Sequence, residues 1–223
     1  MIVSKQRLSL NRTVFTWSWS ILIVISGCAH FFPVKKELTY EDVVPYAVLT
    51  ERFDSCRGQG IFYAAGELRG NLNFDFTARG DSTFIQFRDL LGRRTLFVRT
   101  RGSNIWAWDM IHNERYERDG IMHILPFTEL LKPDEFTRLL WGSIPYTFLS
   151  RGSKQDFNYE RMSAGITFES RQTKNGPLVH KITIQSSEHK YHVEIEIKDR
   201  EFDAVFPQLI HSIPNSIPLA QPS

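Results

Sequence analysis

Cysteine is nearly absent from this chain of 223 residues: Cys28 and Cys56 are the only two. Two cysteines cannot build a disulfide-dense scaffold, and neither belongs to a Cys/His cluster with zinc-ligand spacing. A continuous run of about 20 apolar residues, the length that spans a bilayer as a helix, is also missing. The nearest approach, Val14 to Ile25, is short and interrupted by Thr16, Ser18 and Ser20. Glycine-rich phosphate loops, a nucleophile elbow and a Ser/His/Asp motif do not occur, so an enzyme is not expected. Internal repeats and low-complexity stretches are wanting too. An excess of one charge is lacking as well, with 27 Lys+Arg against 25 Asp+Glu, a formal +2. At 42% hydrophobic and 23% charged residues the composition is that of an ordinary globular protein. The length suits a single domain with a real core.

Charge is distributed unevenly. Lys5, Arg7 and Arg12 precede the apolar stretch, and no acidic residue occurs before Glu37. A basic segment, a short apolar segment and small residues form the pattern of a secretory signal. Ser26 and Gly27 supply the small residues, and Ile25-Ser26-Gly27-Cys28 resembles the lipobox of bacterial lipoproteins. That resemblance implies cleavage before Cys28 and acylation of its thiol. A plain signal peptide or an uncleaved anchor, with Cys28 incidental, is the competing reading. Three acyl chains would hold the protein firmly, since each buried CH₂ contributes about 0.8 kcal/mol. Ala29, rather than an aspartate, follows the cysteine and leans the expected location toward the outer membrane. Loss of residues 1–27 removes three basic side chains and no acidic one, so +2 becomes −1. The basic character belongs to the signal, and nucleic-acid binding is not expected. Cys56 then has no partner within the chain and is expected as a buried free thiol.

Residues 28–44 read as a tether, with Pro33 and paired lysines at 35 and 36. A short helix follows, with Pro45 near its first turn and Ala47, Val48, Leu49 and Phe53 as its apolar face. The period then changes to two. Leu72, Phe74, Phe76 and Ala78 alternate with Asn73, Asp75 and Thr77, the pattern of a half-buried strand. Strands over 83–88, 96–101 and 105–110 are separated by turn signals, so an antiparallel meander is expected. Trp106 and Trp108 share one face of the last of these. Pro133, Asp134 and Glu135 open a helix whose Phe136, Leu139 and Leu140 form an i, i+3, i+4 stripe, with Gly142 closing it. A separate short helix is read over 127–131. Strands resume weakly over 156–162, better over 165–170, and clearly over 178–185 and 191–198. The tail from 207 to 223, with Pro207, Pro214, Pro218 and Pro222, reads as irregular. One sheet with one-sided alternation and few helices must curve to cover its apolar face. It could also leave an apolar concavity.

These motifs, in this order, resemble the LolB-type outer-membrane lipoprotein receptors and, more broadly, the LolA/LolB-like fold. The resemblance rests on a helix running into a glycine-containing strand (46–60) and on the hairpin Phe87-Arg-Asp-Leu-Leu-Gly-Arg-Arg-Thr-Leu-Phe-Val98. It rests also on the helix Phe136-Thr-Arg-Leu-Leu-Trp-Gly-Ser-Ile-Pro145 and on the lipobox at Cys28. It implies a half-barrel domain over 45–206: an unclosed antiparallel β-barrel, a strongly curved sheet wrapped around capping helices, with an apolar cavity. The function implied is acceptance of lipoproteins from a periplasmic carrier and their insertion into the outer membrane by a monomer. The family's protruding leucine falls on Leu91, with Leu90 where the family has proline. Cavity-lining candidates are Leu72, Phe74, Phe76, Leu96, Val98, Trp106, Trp108, Phe136, Leu139 and Leu140. No cofactor is expected beyond lipid on Cys28. An envelope scaffold or lipid-binding module on the same fold is the alternative. The set His192, Glu194 and Glu196 reads as a solvated polar face rather than a metal site.

Overall fold

A computed structural model describes residues 42–66, 69–117, 119–129, 131–146, 157–159, 162–186, 191–204 and 212–220. The signal segment, Cys28 and most of the tether lie outside the described residues. Among the described residues ten antiparallel strands form one sheet. In chain order they are β1 (Ser55–Gly66), β2 (Gly70–Arg79), β3 (Ser82–Arg88), β4 (Arg94–Arg101), β5 (Asn104–Asp109), β6 (Glu114–Glu117), β7 (Phe157–Tyr159), β8 (Met162–Thr173), β9 (Gly176–Ser186) and β10 (Tyr191–Phe202). Helix α1 (Tyr46–Arg52) precedes the sheet; α2 (Asp119–Ile124), a 3₁₀ turn (Pro126–Glu129) and α3 (Pro133–Trp141) separate β6 from β7. The spatial order β6-β5-β4-β3-β2-β1-β10-β9-β8-β7 means two meanders joined along β1 and β10. The sheet is not closed: β6 and β7 are its two edges.

Curvature originates at the joint. Gly58 and Gly60 face the concave side opposite Phe76 and Phe74. A Cβ on Gly60 would lie 2.5 Å from the Phe74 ring and 2.4 Å from the Glu196 carbonyl; one on Gly58 would lie 2.7 Å from Phe76 and 2.2 Å from the Asp199 carbonyl. The two phenylalanines therefore lie across bare backbone, where no other residue fits. Register also shifts between Gln59 and Gly60, so Gln59 opposes Asp199 while Gly60 opposes Ile197. This bulge sharpens the local twist and bend. It also resets the alternation of β10: Tyr191, Val193, Ile195 and Ile197 point inward before it, Arg200 and Phe202 after it.

Helix α3 seats in the concavity by its apolar stripe, with Phe136, Leu139, Leu140 and Trp141 all buried. Burial of each such side chain is worth about 1.5–3 kcal/mol. Polar contacts fix its rotation and ends. The Lys132 backbone N–H donates to the Glu135 carboxylate at 3.2 Å. The Thr137 hydroxyl lies 2.9 Å from that of Thr83 and 3.3 Å from that of Thr100. At the other end Gly142 takes φ +98°, and the Arg200 guanidinium donates to the carbonyls of Leu140 (2.7 Å) and Leu139 (3.0 Å). A half-buried cation at a helix C-terminus meets the negative end of the helix dipole and the carbonyls of its last turn.

Several elements depart from expectation. Of the tail, residues 212–220 are described, and they are irregular except at Leu219, which bridges in parallel to Arg115 of β6. Helix α1 buries only Leu49, and Val48 is 40% exposed. Strand β6 and helix α2 have too little apolar alternation to announce themselves. The expected helix over 127–131 is the 3₁₀ turn, one residue earlier.

Candidate functional site

The five residues between β3 and β4 form a turn organised by Asp89. Its backbone carbonyl accepts from Gly92 N–H at 2.9 Å, and its own N–H donates to the Arg93 carbonyl at 3.0 Å. One carboxylate oxygen accepts from the N–H of Leu91 and of Arg93, both at 2.9 Å; the other accepts from Arg93 Nε at 2.7 Å. The only left-handed residue in the turn is Gly92, at φ +78°. Leu90 at the first central position therefore needs no special backbone. Partial desolvation pushes the Asp89 carboxyl up, but the hydrogen bonds from Arg93 and Leu91 outweigh it and hold it below the ordinary carboxylate value. What the turn presents is apolar: Leu90 is 74% exposed and Leu91 is 79% exposed. Beside them stand Arg93 and Arg94, both exposed, and Arg88, which pairs with Asp75 at 2.7 Å.

The remaining candidates separate into two groups. Phe74, Phe76, Val98, Phe136, Leu139 and Leu140 are buried in the concave core, with Leu72 and Leu96 partly buried against them. Trp106 and Trp108 are not there. They pair across from Arg99 and Phe97, on the opposite face from Val98 and Ala107. This corrects their assignment as cavity lining. Alternation shows that two residues share a face but not which face, and here the apolar cluster is on the outside. In it Phe84 stacks with Phe97 at 6.5 Å, and the Arg99 guanidinium lies 5.8 Å from Phe84 and 5.5 Å from Trp106.

The expected apolar cavity is not shown among the described residues. Among the described residues the concave side is filled by rings in contact: Phe62 with Phe87 (5.9 Å) and Phe127 (5.7 Å), Phe74 with Phe87 (5.6 Å), and Phe127 with Phe136 (5.8 Å). Ile121, Leu125 and Leu131 from the inserted helical segment are buried in the same core. A cleft of about 470 Å³ does open beside the turn, lined by Gln59, Ile61, Asn73, Phe74, Asp75, Arg88, Leu90 and Lys198, with polar and apolar walls in about equal share.

Groups of three or more metal-ligating side chains are absent among the described residues. His192 instead lies 2.7 Å from Gln185 and 2.9 Å from Glu194, which also pairs with Lys181 at 2.9 Å. These polar contacts run across β9 and β10 and along β10. Cys56 is a free, buried thiol, and burial pushes it up to about 12 despite the nearby Arg200. A second exposed tip, at Ile111 between β5 and β6, was not singled out from the sequence. Its signal was present in the spacing Asp109-x-Ile111-His112, which repeats the spacing of Asp89 and Leu91 and again brings a basic side chain close behind.

No family model and no curated protein matches the chain. Among solved structures, an uncharacterized conserved protein from Thermus thermophilus superposes on 78% of this chain and 97% of its own, with TM-score 0.40 and 9% identity. A LolA superfamily protein from Nitrosomonas europaea superposes on 74% of this chain and 96% of its own, with TM-score 0.37 and 6% identity. Likeness at these scores carries no statement of function, which has to come from the chain's own residues.

Proposed function

We propose that this is a lipid-anchored, periplasm-facing protein that accepts lipoproteins by their acyl chains and inserts them into the outer membrane. The observation that carries the reading is the β3–β4 turn, which spends an aspartate and an arginine on holding two adjacent leucines in solvent. Exposed apolar side chains on so constrained a tip suit insertion among lipid chains, with Arg93 and Arg94 near the phosphates. Lipid on Cys28 would keep the tip at the membrane. Cargo would come from a soluble periplasmic carrier. A triacylated lipoprotein exposes many CH₂ groups, and their transfer needs shielding rather than a nucleotide. The acyl chains would take the place of α2 and the 3₁₀ turn on the concave side, so acceptance requires those elements to move. The protein acts as a monomer, with no cofactor and no nucleic acid.

Depletion of the protein, followed by tracking of lipoproteins, tests this directly. Lipoproteins should fail to reach the outer membrane. Normal delivery, with no paralogue substituting, would sink the proposal. Leu91→Glu should leave cargo acceptance intact and impair insertion; unchanged insertion removes Leu91 from the mechanism. Mass spectrometry of the mature amino terminus should find acylated Cys28. The packed concave side favours a second reading, a non-transporting envelope scaffold or lipid-binding module. Normal lipoprotein delivery together with a loss of envelope integrity would select it.

A further inference from the structure

The β3–β4 turn has a structural counterpart one hairpin along. Asp109 ends β5 as Asp89 follows β3, and its carboxylate does the same work. One oxygen accepts from the N–H of Ile111 (2.8 Å) and of His112 (3.1 Å), and the other lies 2.7 Å from His112 Nδ1. Asn113, at φ +57°, supplies the left-handed residue that Gly92 supplies in the first turn. In both turns an acid holds the backbone and is paired with a basic side chain. In both, the residue two positions after the acid is aliphatic and projects. Ile111 is 68% exposed, and with Leu90 and Leu91 it completes the three most exposed large hydrophobic side chains among the described residues.

Register puts both tips at one end of the sheet. Arg94 begins β4 directly after the first turn, Leu96 of β4 opposes Asp109, and Met110 N–H donates to the Thr95 carbonyl at 2.9 Å. The two turns are thus separated by two strand spacings, roughly 10 Å. Leu219, bridged to Arg115 at the start of β6 and 55% exposed, extends the apolar row one strand further.

We infer that the β5–β6 tip, with Ile111 at its apex, is a second contact with an anionic phospholipid surface, so that the sheet end docks on two prongs. The inference rests on the reading of the first tip as membrane-inserting. Charge favours a lipid headgroup layer. Asp89 and Asp109 are turned into their own loops and paired, and Glu114 accepts from the Tyr116 hydroxyl at 3.0 Å. Arg93 and His112 remain exposed, and Arg94 has no ion pair among the described residues. Basic side chains beside apolar apices, Arg93 and Arg94 at the first and His112 when protonated at the second, match lipid phosphates above acyl chains. Two prongs on one rigid sheet also restrict tilt, and the second engages at the high effective concentration set by the first.

Depth of insertion can be read on the full acylated chain, in vesicles of phosphatidylethanolamine and phosphatidylglycerol. An environment-sensitive fluorophore is placed by Ile111→Cys, Leu91→Cys or, at the opposite end of the sheet, Asn104→Cys. Buried Cys56 and acylated Cys28 stay unlabelled. Labels at 91 and 111 should shift to the blue and be quenched by lipids carrying a nitroxide on the acyl chain, and the label at 104 should not. Introducing Ile111→Glu should lower the lipid-resident fraction of the label at 91 about tenfold, the scale set by burying one aliphatic side chain. A label at 91 in lipid with one at 111 in water overturns the second prong and leaves the first tip standing. Both labels in water overturns the inference and the membrane reading of the first tip together.

Discussion

At residue scale the joint between α3 and the sheet depends on side chains that have few substitutes. Gly142 combines φ +98° with a Cβ position 2.9 Å from Leu178 Cβ and 3.3 Å from the Arg200 guanidinium. Gly142→Ala should therefore destabilise the fold by about 1–3 kcal/mol, from left-handed strain and a forced shift of neighbours. A urea midpoint that falls with an unchanged slope would show it; an unchanged midpoint would contradict it. Cys56 sits under the same helix end, its Sγ 3.9 Å from the Leu140 carbonyl. Burial removes water from a thiolate and pushes the thiol to about 12, with Arg200 pulling only partly the other way. At pH 8 Cys56 should resist alkylation in the native chain and react once denaturant is added, as a mass shift would record. Fast native labelling would mean that α3 lifts off β1 readily.

At element scale the two tips share an acid-range titration, and the second adds one of its own. The hydrogen bond and charge of Asp109 raise His112 above its ordinary value of 6.5. A raised folded value means that the support His112 gives its turn is fully present below about 6.5 and is lost as pH rises through the raised value. Asp89 is lowered, so the support it gives its turn is present above the ordinary carboxylate value and is lost as pH falls through the lowered one. Proton and nitrogen shifts of Leu91 should therefore titrate in the acid range alone, and those of Ile111 both there, with the lowered Asp109, and again above 6.5, with His112. Asp109→Asn should bring the His112 midpoint down; an unmoved midpoint would show that the contact is not made in solution. Strong alternation made most strands and the α3 stripe legible in the sequence. Two limits are equally physical. The bulge at Gln59 reverses alternation along β10, so Arg200 points inward where period-two counting from Tyr191 would put it outside. The Trp106–Trp108 pair defines a face, but packing chose the outer one. Leu90 and Leu91 were readable as a turn because Asp and Gly flank them. Ile111 was less so: the Asp109-x-Ile111 spacing is there, but Asn113 closes the turn in place of a glycine.

At the scale of the whole molecule an open sheet must manage two edges, and unpaired edge strands invite pairing between chains. The β6 edge is met by the tail. Arg115 N–H donates to the Pro218 carbonyl at 2.8 Å, Ala220 N–H donates back to the Arg115 carbonyl at 2.8 Å, and Ile217 is buried. Pro214 and Pro218 have no N–H, so the tail takes up the edge without presenting a full ladder of its own. Nothing in a proline-rich terminus announces this, since one parallel bridge leaves no periodic pattern. Deletion of residues 212–223 should leave the core strands intact yet uncover Arg115 and the rest of the β6 edge. The shortened chain should then self-associate at concentrations where the full chain stays monomeric. Sedimentation velocity of the two in the same detergent separates the outcomes. Equal distributions would mean that the short, charged β6 strand is already sufficient protection, and would leave the tail only its placement of Leu219 beside the Ile111 tip.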